Sequence, residues 1–561
     1  MKNVFSSIIA SALLFGGCNS VENTVICVQL DPLKKVFTEE AYFIENADTA
    51  AVAKGETATF QFVVKSSYPI ERLKVEAGDL TNGDRQIAAT LKAFVGYISA
   101  GAARAGGQHG AQSKDAMYPV SDLYPDCLQE VKSVDLQPLQ NQPVWVTYAI
   151  PRDAADGNYA ATLVFSGKVN GKSFKIKKEV NARVYPVVLP EQTLWVTNWF
   201  DTKQGFPFMN NNQPVEPYSD RWWELLTNLA HVMRDHGQNM YMIWDWDDLF
   251  NIDFDGTQFT FDFTNFDKTV ELLIREGGLK RIEGAPVAGH GAGGLDMIHR
   301  GLKVHVPKLG RMSFENDTAQ LYLAQFLPAL YAHLETKGWK NMYVQHICDE
   351  PNPDDAPYYV RISEFVRKQM PGIPIIDANC LNRQLVGAVD IWVPLLHAIP
   401  SSYAFYRERQ AAGDEFWFYT CLGPQDNFAN RFMEQPLIQT RLLHWLNYHC
   451  GATGYLHWGF NAWHWSKTND AASRWDVPAG DAWIVYPADG KVYTSIRLAA
   501  MRDGIADYEL LKLLEQKSPR KARRLAGEII KDFDRYNNNI RAFRLARLKL
   551  LEALSELRIE N

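Results

Sequence analysis

Cysteine is scarce and unpatterned in this chain. Seven occur among 561 residues, and no two form a CxxC pair. Setting Cys18 aside leaves Cys27, Cys127, Cys348, Cys380, Cys421 and Cys450. Their scatter argues against a disulfide framework or a thiolate zinc site, so buried free thiols are expected. The 13 His residues include no HExxH and join no cluster of carboxylates, so the sequence implies no metal and no cofactor. Basic charge is not in excess: 58 Lys and Arg face 65 Asp and Glu, a net charge of -7. That excludes the electrostatic footprint of a nucleic-acid binder. Low-complexity tracts and short internal repeats are absent, and so is any convincing amphipathic helix pattern between about residues 24 and 190.

What is plentiful is aromatic. Phe, Trp and Tyr make up 12% of the chain, with 16 Trp and 24 Tyr. Such rings either fill a large core or form flat surfaces for ring-shaped ligands such as sugars. The N-terminal segment MKNVFSSIIASALLFGGCNS has Lys2, an apolar run too short to span a bilayer, small residues and then Cys18. Its LFGGC ending resembles a bacterial lipoprotein signal, cleaved before Cys18 with lipid on the sulfur. This predicts residues 1–18 as signal, Cys18 as the lipidation site, and a lipid-anchored place in a bacterial cell envelope, in the periplasm or outer membrane.

Two rhythms follow. From residue 24 to about 190 the chain reads as short strands, including TATFQFVVKSS, PVWVTYAI and GNYAATLVF, with a hairpin turn at Asn170-Gly171. This predicts a β-sandwich domain. From 191 to about 515, eight apolar strands alternate with helical segments. The strands are read at 193–200, 239–246, 279–287, in the stretch 341–355, and at 373–379, 390–396, 415–421 and 452–460, and Asp220 and Gly237 are read as bounding the first helix. The expected fold is therefore multidomain: a β-sandwich, then a (β/α)8 TIM-type barrel, with a C-terminal helical extension over 516–561.

In such barrels the active site lies at the C-terminal ends of the strands. The fourth strand ends in NMYVQHICDEPNPDD, with Asp349 and Glu350 adjacent. Other strand ends supply Asn198, Trp199 and Asp201, then Asp245 and Asp247, with His346 within the fourth strand, Tyr419 on the seventh, and Trp458, Asn461 and Trp463 after the eighth. Each alone has a bland reading as packing, cap or core histidine; as a set they suit a polyhydroxylated ring. Two-carboxylate glycosidases place their acids about 5 Å apart or more across the scissile bond. Neighbouring residues of a strand point to opposite faces and straddle a sugar poorly. The pair fits a substrate-assisted route instead, in which a 2-acetamido carbonyl attacks the anomeric carbon and the two acids serve different atoms of one sugar.

HICDEP on the fourth strand, the preceding sandwich and SIRLAAMRDGIADYELLKLL near the end resemble glycoside hydrolase family 123. The resemblance covers nearly the whole mature chain. It implies a retaining exo-β-N-acetylgalactosaminidase acting on terminal β-GalNAc of glycans or glycolipids. Asp349 would polarise the acetamido group and Glu350 would be the general acid/base. Tyr419, Trp458, Trp463, Asn461, Asn198, Asp245 and His346 are expected to bind substrate on the strand-end argument alone. Arg497, Arg502, Asp503 and Asp507 are read as ion pairs and caps that tie the closing helix to the barrel. Two alternatives stay open: a glycosidase in which Asp245 or Asp201 is a separate nucleophile opposite Glu350, and a non-catalytic carbohydrate-binding surface lipoprotein.

Overall fold

The computed structural model describes residues 24–40, 49–99, 123–243, 249–290, 301–379, 382–425, 427–465 and 478–559. The expected signal and Cys18 lie outside these residues, as do Asp245, Asp247 and Cys380.

The N-terminal part is two sheets on one core. Five strands pair in the order Val25–Leu30, Thr57–Ser66, Gln142–Ala149, Leu91–Ser99 and Leu123–Gln129. The second sheet is built on the long hairpin Gly157–Val169 and Lys172–Val188, flanked by Ala50–Lys54 and Ile70–Ala77. Phe60, Phe62, Val144 and Val146 from one sheet meet Leu163, Phe165, Val180 and Val184 from the other in a single apolar cluster. The hairpin closes where the sequence places it. Asn170 and Gly171 both take left-handed backbone, with φ 51° and 74°, the geometry a two-residue turn needs between twisted strands.

Beyond residue 190 the parallel strands are β1 (Trp195–Asn198), β2 (Met240–Ile243), β3 (Arg281–Gly284), β4 (Tyr343–Gln345), β5 (Ile376–Asn379), β6 (Ile391–Pro394), β7 (Phe418–Thr420) and β8 (Gly454–His457). Three parallel sheets result, β2-β3-β4, β5-β6 with Glu415–Phe416, and β7-β8-β1. Single parallel bridges join two of the seams, Gln345 with Ile375 and Leu395 with Tyr419. At the third seam, between β1 and β2, side-chain amides take part in the ladder. Asn239 accepts from the Val196 N–H at 2.9 Å and donates to the Leu194 carbonyl at 3.0 Å. Gln238 accepts from the Asn198 N–H at 3.2 Å and donates to the Asn198 carbonyl at 3.1 Å. Both amides are buried, so these bonds satisfy backbone groups that water cannot reach.

The helices between the strands are α1 (Asp220–Asp235), α2 (Thr264–Gly277), α3 (Asp317–Lys337), α4 (Ala356–Gln369), α5 (Ile399–Ala411) and α6 (Leu437–Cys450). Ser219, not Asp220, caps α1 by accepting from the Trp222 N–H; an N-cap keeps extended backbone while its side chain reaches the first turn. Gly278, Gly338 and Gly451 end α2, α3 and α6 in left-handed backbone.

These strands share an apolar cluster of Met240, Met242, Val344, Ile376, Ile391, Val393 and Leu456, with Trp199, Trp417 and Tyr419. Toward the N-terminal ends of the strands lies a charged group. Arg281 pairs with both oxygens of Glu415 at 3.0 and 3.1 Å and lies 3.9 Å from the centroid of the Trp195 ring. Planar guanidinium suits both contacts at once.

The chain ends in α7 (Ile496–Lys517), α8 (Pro519–Ile529) and α9 (Ile540–Ile559). The charges of α7 are structural, as the sequence suggests. Arg497, fully buried, pairs with Asp126 of the N-terminal part at 2.8 Å, and Asp507 takes Arg441 at 2.8 Å and Arg547 of α9 at 2.7 Å. Arg547 also reaches Glu56. Burial alone would raise the Asp507 carboxyl, but Arg441 and Arg547 hold it down at about 2. The terminal helix thus joins the two halves of the molecule through buried ion pairs.

Candidate active site

Strand β4 stops at Gln345, so Asp349 and Glu350 sit on an irregular segment just past it rather than within the strand. The opposite-face argument for adjacent strand residues therefore does not apply to them. Glu350 takes left-handed backbone, φ 49°, which costs a non-glycine residue roughly 1–2 kcal/mol and persists only where surroundings enforce it. Here the Glu350 N–H donates to the Ala378 carbonyl at 3.0 Å, and the Tyr419 hydroxyl, at the end of β7, donates to Glu350 Oε1. The Glu350 side of the pair is exposed; Asp349 is half-buried. Crowding strips water from Asp349, and the neighbouring Glu350 charge adds to this. Together they push its carboxyl up to about 8, against the opposing pull of His346. This favours the protonated form of Asp349.

Behind the pair lies a buried chain of charge, of which the sequence reading named His346 but not Glu283 or Asp377. His346 is fully buried, with Nδ1 2.6 Å from Asp377 Oδ1 and Nε2 2.6 Å from Glu283 Oε1. Burial alone would lower its pKa; the two carboxylates outweigh that and carry it to about 10, so the ring is an imidazolium. Glu283 also accepts from Thr197 at 2.8 Å and from the Trp199 indole at 2.9 Å. Asp377 Oδ2 accepts from the Tyr359 hydroxyl, from the Ile347 N–H at 3.0 Å and from the Cys348 N–H at 3.4 Å. On the opposite side, the Val287 and Ala288 N–H groups donate to the carbonyls of His346 and Ile347 at 3.2 and 2.9 Å. The His290 ring approaches the Asp349 carbonyl at 3.2 Å.

The expected sugar contacts divide. Tyr419 meets Glu350 directly. Trp458 is half-buried, held by an indole bond to Asp481 at 3.0 Å and by Trp465, whose ring centroid is 5.0 Å away. It packs on the apolar cluster that contains Tyr419. Four others are corrected. His346 has both nitrogens committed to carboxylates and no exposed surface. Asn198 is buried between Gln238 and Arg431. Asn461 clamps the Asp201 backbone with two bonds, 2.8 and 2.9 Å. Trp463 is buried, with its indole on the Val485 carbonyl at 2.9 Å. These side chains stitch strand-end loops together, which is what a buried polar group must do to offset its lost hydration. Asp245 lies outside the described residues. Among the described residues no group of three or more His, Cys, Asp and Glu side chains has the arrangement to hold a metal ion.

A family model described as "Glycoside hydrolase 123, catalytic domain" matches residues 209–514, and "Glycoside hydrolase 123 N-terminal domain" matches residues 38–166. Among solved structures, a family 123 glycoside hydrolase from Clostridium perfringens aligns over 95% of this chain and 97% of its own, with TM-score 0.69 and 16% identity. The work on that protein concerns glycolipid glycan hydrolysis. A β-glucuronidase from Parabacteroides merdae aligns with TM-score 0.31 and 9% identity, over 81% of this chain and 51% of its own. An endo-β-1,4-mannanase from Thermotoga petrophila has TM-score 0.35 and 10% identity, over 57% and 77%. These last two likenesses are too slight to bear on the fold. No curated protein sequence matches the chain.

Proposed function

Since the chain belongs to glycoside hydrolase family 123 and is a glycoside hydrolase, we propose that it is a retaining exo-β-N-acetylgalactosaminidase that uses the substrate's own 2-acetamido group as nucleophile. The observation that carries this reading is the placement of Asp349 and Glu350 on one short segment, with Glu350 turned out in left-handed backbone under the Tyr419 hydroxyl. Two acids so close together suit two atoms of one sugar better than two sides of one bond.

In this reading the acetamido carbonyl oxygen attacks the anomeric carbon as the glycosidic C–O bond breaks, and Glu350 protonates the departing oxygen. Asp349 accepts the acetamido N–H and balances the positive charge that develops in the cyclic intermediate. Water then opens that ring at the anomeric carbon and gives its proton to Glu350, which restores the acetamido group and the original configuration. The proton held by the free pair passes to Glu350 as the acetamido N–H comes to stabilise ionised Asp349. Trp458 offers the apolar surface for the sugar ring. The eight parallel strands, joined at two seams by bridges and at the third through Asn239 and Gln238, support a closed (β/α)8 barrel with the pair at its C-terminal mouth.

The same proposal takes terminal β-GalNAc of glycans or glycolipids as substrate, and the N-terminal LFGGC segment supports a lipid anchor at Cys18 in a bacterial cell envelope. A panel of aryl glycosides with and without the 2-acetamido group tests the activity. Release from aryl β-N-acetylgalactosaminide, and none from aryl β-galactoside, is expected. Brisk cleavage of the plain galactoside would favour a separate carboxylate nucleophile.

A further inference from the structure

The segment His346–Glu350 has left the regular strand, yet it presents a strained residue at a fixed place. What holds it is largely one carboxylate. Asp377 Oδ2 takes the N–H groups of Ile347 and Cys348, the two peptides before Asp349, while Oδ1 takes His346. Glu350 then donates to the carbonyl of Ala378, the residue after Asp377. Asp377 itself is held by Tyr359, and His346 by Glu283, which is pinned by Thr197 and Trp199. All three charged members, Glu283, His346 and Asp377, have no exposed surface. Two carboxylates around one imidazolium leave a net negative charge under the pair.

We propose that Asp377, with His346 and Glu283 behind it, is the positioning device of the acid pair: it fixes the segment from which Asp349 and Glu350 project, and presents a buried negative charge to them. This rests on the functional reading above. The charge has a defined direction of effect. Asp377 and Glu283 both favour the protonated form of Asp349, and His346 opposes them. Among the described residues, other polar groups facing the segment include Glu350 beside it, Tyr419 on Glu350, Gln345 on the His346 carbonyl, and His290 on the Asp349 carbonyl, with Asp355 3.6 Å from His290 and Arg311 bonded to the His290 carbonyl. An ordinary carboxyl would be ionised at neutral pH; lost hydration and Glu350 chiefly, with Asp377 and Glu283 adding and His346 opposing, extend the range over which the pair keeps the proton that a general acid needs.

The test uses Glu283→Gln and Asp377→Asn in the full chain. Glu283→Gln leaves the Asp377 bonds to Ile347 and Cys348 in place and removes one negative charge. It is expected to move the alkaline limb of kcat/KM down by about 0.5–1 pH unit, with His346 still charged on Asp377. Asp377→Asn keeps one acceptor oxygen in place of two, so it cannot serve both His346 and the Ile347 and Cys348 peptides, and kcat is expected to fall about 100-fold, the scale of a small misplacement of reacting groups, with KM changed about 3-fold or less. Far-downfield imidazole N–H resonances in proton NMR, persisting to pH 9 in wild type, read the charged His346 without any substrate. An alkaline limb unmoved in Glu283→Gln, or a His346 that titrates near its ordinary 6.5, overturns the proposal. If wild type cleaves no glycoside, the functional reading fails, and the NMR titration still decides whether the charged chain exists.

Discussion

Replacing Asp349 with Asn should make the protein more stable while destroying its proposed activity. Asp349 is pushed up to about 8 from the usual 3.8 by loss of hydration and by Glu350, so the fold favours its protonated form. A group raised in this way contributes its stability fully below pH 3.8 and loses it as pH rises through 8, because the folded state then binds more protons than the unfolded one. Over that window the full shift corresponds to roughly 6 kcal/mol at 1.36 kcal/mol per pH unit. The carboxyl keeps part of its surface in water and shares its titration with Glu350, so about 2 kcal/mol is the expected gain for Asp349→Asn at pH 8. Asn is neutral at every pH, so the gain should vanish near pH 4. Thermal unfolding of both proteins from pH 4 to pH 9 checks this, with a difference of about 2 °C at pH 8. A variant less stable than wild type at pH 8, or a gain independent of pH, would refute the assignment of a desolvated, proton-holding Asp349.

Glu350→Gln should lose roughly 10²–10⁴-fold on substrates with poor leaving groups and much less on activated aryl glycosides, which need little protonation; equal loss on both would remove Glu350 from the acid role. Arg547→Ala should leave the buried carboxylates of Glu56 and Asp507 without this partner, at a cost of about 3–5 kcal/mol, and calorimetry should show the melting transition lowered or split between the two halves of the chain. Cys18→Ala should release the protein from the membrane fraction or leave it unprocessed; unchanged membrane retention would argue against the lipid anchor.

The alternation of strand and helix was legible because its punctuation is local. Gly278, Gly338 and Gly451 end helices as their sequence positions suggest, and Asn170-Gly171 turns the hairpin. The site was legible only at its rim. Asp349 and Glu350 stand out as paired acids after an apolar run. Glu283 and Asp377 do not, since RIEG and IIDAN each carry one acid in a short strand. Yet a lone carboxylate in an apolar strand has to find a partner, and His346, just past the neighbouring strand, partners both. The strand-end rule failed for Asn198, Asn461 and Trp463, because it cannot tell a polar group aimed into a cleft from one tying loops together. The β1–β2 seam was opaque for a different reason: amides that bond to backbone are chosen by three-dimensional register, not by periodicity.

The central claim, that the substrate's acetamido carbonyl is the nucleophile, is tested most directly by weakening that nucleophile alone. Aryl β-N-acetylgalactosaminides whose acetyl group carries no, one, two or three fluorines present nearly the same shape to the Asp349–Glu350 pair, with a carbonyl oxygen progressively poorer in electrons. The account predicts that kcat/KM falls steeply and monotonically along the series, with retention of configuration in the sugar released. A flat series, or product of inverted configuration, would contradict it.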